Sequence, residues 1–184
     1  MMLKEELKSS DLLHREEIKI EGYEKVISFS DQRTRLKGII AIHDSTLGPS
    51  LGGIRFYPYA TFEEGFTDVL RLARGMTYKS AIANVGFGGA KTVIFGDPKK
   101  DKNELLWLSY AKVVRDLKGA YICAEDMGCT PEDMDVIARI NPYVVGLSSD
   151  KSSGDPSYFT AWGTYRGMQS VCQWLFQNPS LQGK

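Results

Sequence analysis

Short apolar runs alternate with longer helical repeats along most of the chain, and this alternation restricts the fold more than any other feature. YEKVISFS (23–30) and RLKGIIAIHD (35–44) are β-rich runs separated by DQRT, which predicts neighbouring antiparallel strands. Thr61 is an N-cap candidate with Glu63 and Glu64 in the first turn. Phe62, Phe66, Val69, Leu70, Ala73 and Met76 follow at helical spacing, predicting a helix over about 61–81 with one buried face. KTVIFG (91–96) reads as a short buried strand closed by Asp97 and Pro98. A helix over 103–117, a strand at YICAED, a helix at TPEDMDVIARI with Thr130 as cap and Pro131 first, a strand at YVVGLS and a helix over 158–176 complete the pattern. The expected fold class is α/β, a three-layer α/β/α sandwich with a mostly parallel mixed sheet.

Composition limits the rest. A chain of 184 residues, 42% hydrophobic, can bury one good core, as one domain or one domain plus an appendage. Charges interrupt every apolar stretch short of a membrane span, and MMLKEELKSS has no apolar core of a secretion signal, so a cytoplasmic location is expected. Lys+Arg and Asp+Glu both number 23, so no net field draws the chain to nucleic acid or an anionic membrane, and KKDK (99–102) reads as a solvated turn. Cys123, Cys129 and Cys172 form no C-x-x-C, and His14 and His43 lie far from them in sequence, so neither a disulfide framework nor a metal site is expected.

GFGGAKT (86–92) has the glycine content of a phosphate loop but the wrong order. A P-loop runs strand, glycines, helix and needs G-x-x-x-x-G-K-[ST]; here Ala90 precedes Lys91 and the glycines lead from a helix into a strand. The dinucleotide fingerprint fails as well, because Lys91 occupies its third glycine position. The glycines do permit close approach of backbone to a small ligand, with Lys91 at the start of a buried strand. Burial there, with Lys79 as a nearby second cation, would push the Lys91 amine below its ordinary range. The alternative is a Lys91 that snorkels to solvent from a simple turn. Asp126 is equally open, as an acid/base group or as a carboxylate serving the helix start at DMGCTPED.

GPSLGGIRFYPYAT, GMTYKSAIANVGFGGAKTVI, AEDMGCTPEDM and SGDPSYFTAWGTYRGM occur in that order, and together they closely resemble the glutamate/leucine/phenylalanine/valine dehydrogenase family, nearest its leucine branch. The resemblance covers the chain after about Tyr23. It implies the N-terminal, substrate-binding and oligomer-building domain of an enzyme that reversibly deaminates an L-amino acid to a 2-oxo acid and ammonia with NAD. By that resemblance Lys91 is the catalytic lysine, Lys79 binds the substrate α-carboxylate and Asp126 is the acid/base partner. Gly52 and Gly53 bring backbone against the substrate, Met76 lines the site, and Thr160 approaches the nicotinamide carboxamide. The glutamate-specific branch has a lysine at the position of Leu51, where leucine cannot pair a side-chain carboxylate; an apolar substrate side chain follows, with Ala124 leaving room beside it. A methylene more or less is worth only about 1–3 kcal/mol, so the choice among branched-chain substrates stays open.

The family carries its cofactor on a second, Rossmann-type domain. The expected division is therefore residues 1–150 as the substrate-binding and oligomerisation domain and residues 151–184 as the connection and first helix toward a nucleotide-binding domain absent from this chain. Two readings follow: the substrate and catalytic half of an NAD-dependent amino-acid dehydrogenase, a homo-oligomer, or, for the chain by itself, a non-catalytic assembly or amino-acid-binding module.

Overall fold

The computed structural model describes residues 12–148, 152 and 154–184. The N-terminal MMLKEELKSS and the division expected between residues 150 and 151 lie outside them.

The described residues form strands β1 (Leu13–Ile18), β2 (Lys25–Asp31), β3 (Leu36–Asp44) and β4 (Ser50–Tyr57), then helix α1 (Phe62–Ala83), strand β5 (Gly88–Phe95), helix α2 (Glu104–Arg115), strand β6 (Tyr121–Glu125) and helices α3 (Pro131–Ala138) and α4 (Ser157–Phe176). One sheet holds all six strands in the order β1-β2-β3-β5-β4-β6. Three of the four helix starts follow from a capping side chain. Thr61 accepts from the Glu64 N–H, Asn103 from the Leu106 N–H, and Thr130 forms a reciprocal capping box with Asp133.

Strand alternation divides the core in two. On β3, Ile39 and Ala41 face α1, where Val69 and Ala73 pack with Val26 and Val93. Ile40 and Ile42 point to the opposite face, against Trp107 and Tyr110 of α2 and Met134 and Ile137 of α3. The result is the expected three-layer sandwich, with α1 on one face and α2 and α3 on the other.

Parallel pairing is confined to one side of the sheet. β4 runs parallel to β5 and to β6, whereas β1–β2, β2–β3 and β3–β5 are antiparallel. The mixed sheet stands, but its parallel share is smaller than the alternation suggests, because the first three strands form a meander with no helix between them. YVVGLS is not a strand: it makes a single bridge, Cys123 with Val144. Gly146 turns the backbone away at φ +79°, and the Gly146 and Leu147 N–H groups go to the Ser152 hydroxyl instead of a ladder. β1 and β4, in contrast, are strands that the sequence reading left out.

Candidate active site

Gly88 and Gly89 belong to β5 and not to a loop, and α1 precedes them, so the helix–glycine–strand order holds. A Cβ on Gly89 would lie 2.1 Å from the Thr77 amide nitrogen, so only glycine lets α1 cross β5 this closely. On β4, a Cβ on Gly52 would lie 1.6 Å from the Ala90 carbonyl oxygen. The β4–β5 ladder has registered pairs at Ser50–Gly88, Leu51–Gly89 and from Ile54–Thr92 onward, but none at Gly52 or Gly53. This seam is pinned from below. Thr92 donates to the Tyr121 hydroxyl at 3.0 Å, Tyr121 donates to the Gly52 carbonyl at 3.0 Å, and the Tyr110 hydroxyl lies 2.8 Å from Thr92 Oγ1.

Above the seam is a cleft of about 870 Å³. Leu51, Gly52 and Gly53 line it from β4, Met76 and Lys79 from α1, and Lys91 from β5. Ala124 and Asp126 come from the end of β6 and the residue after it, and Thr160 from α4. All nine candidate residues named from the sequence therefore border one space, although they span more than a hundred positions of the chain.

Lys91 is only 5% exposed, which excludes the snorkelling alternative. Its Nζ lies 3.1 Å from Asp126 Oδ2. Burial pushes the Lys91 amine below its ordinary value; Asp126 opposes this, while the Arg55 and Lys79 charges add to it. For Asp126, burial favours the neutral acid, but Lys91 and Arg55 outweigh it and hold the carboxyl below the usual range. Lys79 itself is exposed. Next to Asp126, Glu125 is pushed up to about 7, by burial first and then by the neighbouring Asp155 carboxylate. Its Oε1 is buried with no hydrogen-bond partner among the described residues.

The sequence reading missed the charges behind the cleft. Arg55 donates from Nε to Asp126 Oδ2 at 3.0 Å and from a terminal nitrogen to Asp68 Oδ2 at 2.9 Å, and the Tyr59 hydroxyl donates to Asp68 Oδ2 at 2.6 Å. A signal was present: once GGIRFY is taken as a strand, Arg55 falls two residues after Gly53 and so on the same face. Among the described residues there is no group of three or more His, Cys, Asp or Glu that could hold a metal ion, and no helix long and apolar enough to cross a membrane.

Residues 23–141 match the dimerisation domain of the Glu/Leu/Phe/Val dehydrogenases. The chain is 52% identical over 163 residues to the leucine dehydrogenase of Geobacillus stearothermophilus, covering 88% of this chain and 44% of that one. It is 46% identical over 164 residues to the valine dehydrogenase of Streptomyces virginiae, covering 89% of this chain and 46% of the relative. Among solved structures, L-tryptophan dehydrogenase from Nostoc punctiforme superposes with a TM-score of 0.67 at 37% identity, over 88% of this chain and 45% of that chain. The chain thus spans about half the length of the relatives it matches.

Proposed function

This chain belongs to the Glu/Leu/Phe/Val dehydrogenase family, and we propose that it supplies the substrate-binding and acid/base half of an NAD-dependent dehydrogenase for branched-chain L-amino acids. The observation that carries this reading is the buried Lys91 ammonium paired with Asp126 at the edge of a cleft of small-molecule size. A lysine with a lowered pKa and a carboxylate held ionised are the two states that deamination needs.

In the proposed reaction Lys79 binds the substrate α-carboxylate, an exposed cation suiting a group that must enter and leave. Leu51, Met76 and Val145 give the side-chain wall, where an apolar chain packs and a second carboxylate would lose water without gaining a partner. A bound nicotinamide would supply the hydride acceptor for the substrate Cα–H. Thr160 shares the cleft with Lys91, and about 870 Å³ leaves room for a ring beside an amino acid, so these residues fit the cofactor's reactive end. Neutral Lys91 takes a proton from the water that attacks the resulting iminium carbon, and Asp126 moves protons on and off the amino nitrogen. The two groups would titrate as a coupled pair.

The dinucleotide itself needs a separate grip. No G-x-G-x-x-G occurs in the 184 residues, so the 184-residue chain alone should give no leucine-dependent NAD reduction. A chimera joining it to the remaining half of the Geobacillus stearothermophilus relative should show that activity. If the folded, cofactor-binding chimera is inert toward every branched-chain amino acid, the reading fails. We further propose a homo-oligomer. Exposed Tyr158, Phe159, Trp162 and Trp174 on α4 are more aromatic surface than a solvated helix usually carries, and favour burial against further protein.

A further inference from the structure

We propose that Arg55 is a positioning residue of this site: it holds Asp126 by one oxygen, braced against Asp68 and Tyr59, and so reserves the other oxygen, Oδ1, for the substrate nitrogen. The inference rests on reading the cleft as an amino-acid site and names a group that this reading does not otherwise use.

The geometry is specific. Lys91 Nζ at 3.1 Å and Arg55 Nε at 3.0 Å both meet Asp126 at Oδ2. Asp126 Oδ1 makes no hydrogen bond to any described residue. Asp126 lies just past the end of β6, where its main-chain carbonyl accepts from the Cys129 N–H but strand pairing, which ends at Glu125, does not orient it. Arg55 supplies the missing constraint. It sits within β4, is only 21% exposed, and its diverging nitrogens bridge Asp126, just past β6, and Asp68 on α1. Tyr59 completes the brace by donating to the same Asp68 oxygen. A lysine at position 55 could not do this, because one ammonium on a flexible stem lacks the planar fork that spans two carboxylates.

The need for a second cation comes from the proposed chemistry. While Lys91 is protonated, it can hold Asp126 by itself. When Lys91 is neutral and ready to act as a base, that attraction is gone, and Arg55 is the remaining cation in contact with Asp126 among the described residues. Other groups facing the pair are Lys79 from α1, whose charge acts on Lys91, and the Cys129 thiol, which burial pushes up to about 12 and keeps neutral. Arg55 therefore keeps Asp126 anionic and aimed while its charge discourages protonation of Lys91.

The test uses the 184-residue chain without cofactor, following Lys91 and Asp126 by side-chain ¹³C NMR across pH, with circular dichroism confirming the fold. Arg55→Gln is expected to move both titration midpoints upward. Arg55→Lys, which keeps a charge and guards against a variant that does not fold, is expected to leave Lys91 near its wild-type midpoint while Asp126 still rises. Unchanged Asp126 midpoints in the folded variants would overturn the proposal. Because the readout needs no turnover, it separates from the function. An inert chimera with these shifts present removes the dehydrogenase reading and leaves the brace, whereas an active chimera with the shifts absent does the reverse.

Discussion

Replacing Lys91 by Met separates what this side chain does for the fold from what it does in the proposed reaction. At the 3.1 Å Lys91–Asp126 distance, Coulomb attraction at an effective dielectric of about 20 is roughly 5 kcal/mol. Taking an ammonium out of water costs several kcal/mol, so the two nearly cancel. Met fills a similar volume without the desolvation, and Asp126 keeps Arg55 at 3.0 Å, so no carboxylate is stranded. Stability should thus change by no more than about 2 kcal/mol, or less than about 8 °C in Tm for a chain of this size. The sign depends on pH. A lysine whose folded pKa is lowered destabilises the fold most below that pKa, and the cost fades as pH rises toward the unfolded value. Lys91→Met should therefore compare best with wild type at neutral pH and lose that advantage in alkali. Turnover should fall by about 10²–10⁴, the general-base contribution, equivalent to about 2.7–5.5 kcal/mol. Thermal unfolding of the chain at pH 7 and 9.5, and NADH formation by the chimera at saturating leucine, measure the two effects. A folded variant within tenfold of wild-type turnover, or one with Tm lowered far beyond 8 °C, would refute the reasoning.

Lys79→Ala should raise the leucine KM of the chimera more than it lowers kcat, because the carboxylate contact exists before the transition state as well as in it; a pure kcat loss would contradict this. Leu51→Lys should narrow the preference for leucine over glutamate from both sides, by adding a cation for the second carboxylate and removing apolar wall worth about 1.5–3 kcal/mol; kcat/KM for both substrates tests it, and an unchanged ratio would remove Leu51 from the side-chain pocket. Glu125 holds its proton up to about 7 in the fold, above its unfolded value, so the native state loses stability as pH rises through that window. Glu125→Gln should flatten the fall in unfolding free energy from urea titrations between pH 5 and 8, by about 1–2 kcal/mol after allowance for solvent screening, and an equally steep fall in the variant would count against it.

Helices were the most legible part of the fold, because their ends are written in single residues. Thr61, Asn103 and Thr130 each accept an orphan N–H at a side-chain oxygen, and those contacts depend on local sequence alone. Strands depend on partners, and the two omitted ones show how. β4 carries Gly52 and Gly53 at its centre, which erase the β-propensity signal just where close approach to β5 demands glycine. β1, LHREEI, is paired only with β2 among the described residues, so its charged side chains face solvent and it lacks an apolar run. YVVGLS failed in the other direction: its β-branched residues promise a strand, but Ser152 takes the N–H groups that a ladder would use. At the site, residues with distinctive chemistry in glycine-rich surroundings were readable. Arg55 was not, since its partners Asp68 and Asp126 are 13 and 71 positions away.

The seam between β4 and β5 also bears on how such a cleft can diverge. Gly52 has no space for a methyl group, and its carbonyl is already taken by Tyr121, so the floor beneath the ligand offers almost no viable mutations. The walls are different. Leu51, Met76 and Ala124 are partly buried and Val145 is exposed, so each can change size without moving the strands. Variation in a lineage built on this scaffold is thereby channelled. Drift and selection can reshape the walls of the cleft, one side chain at a time, while its glycine floor stays out of their reach.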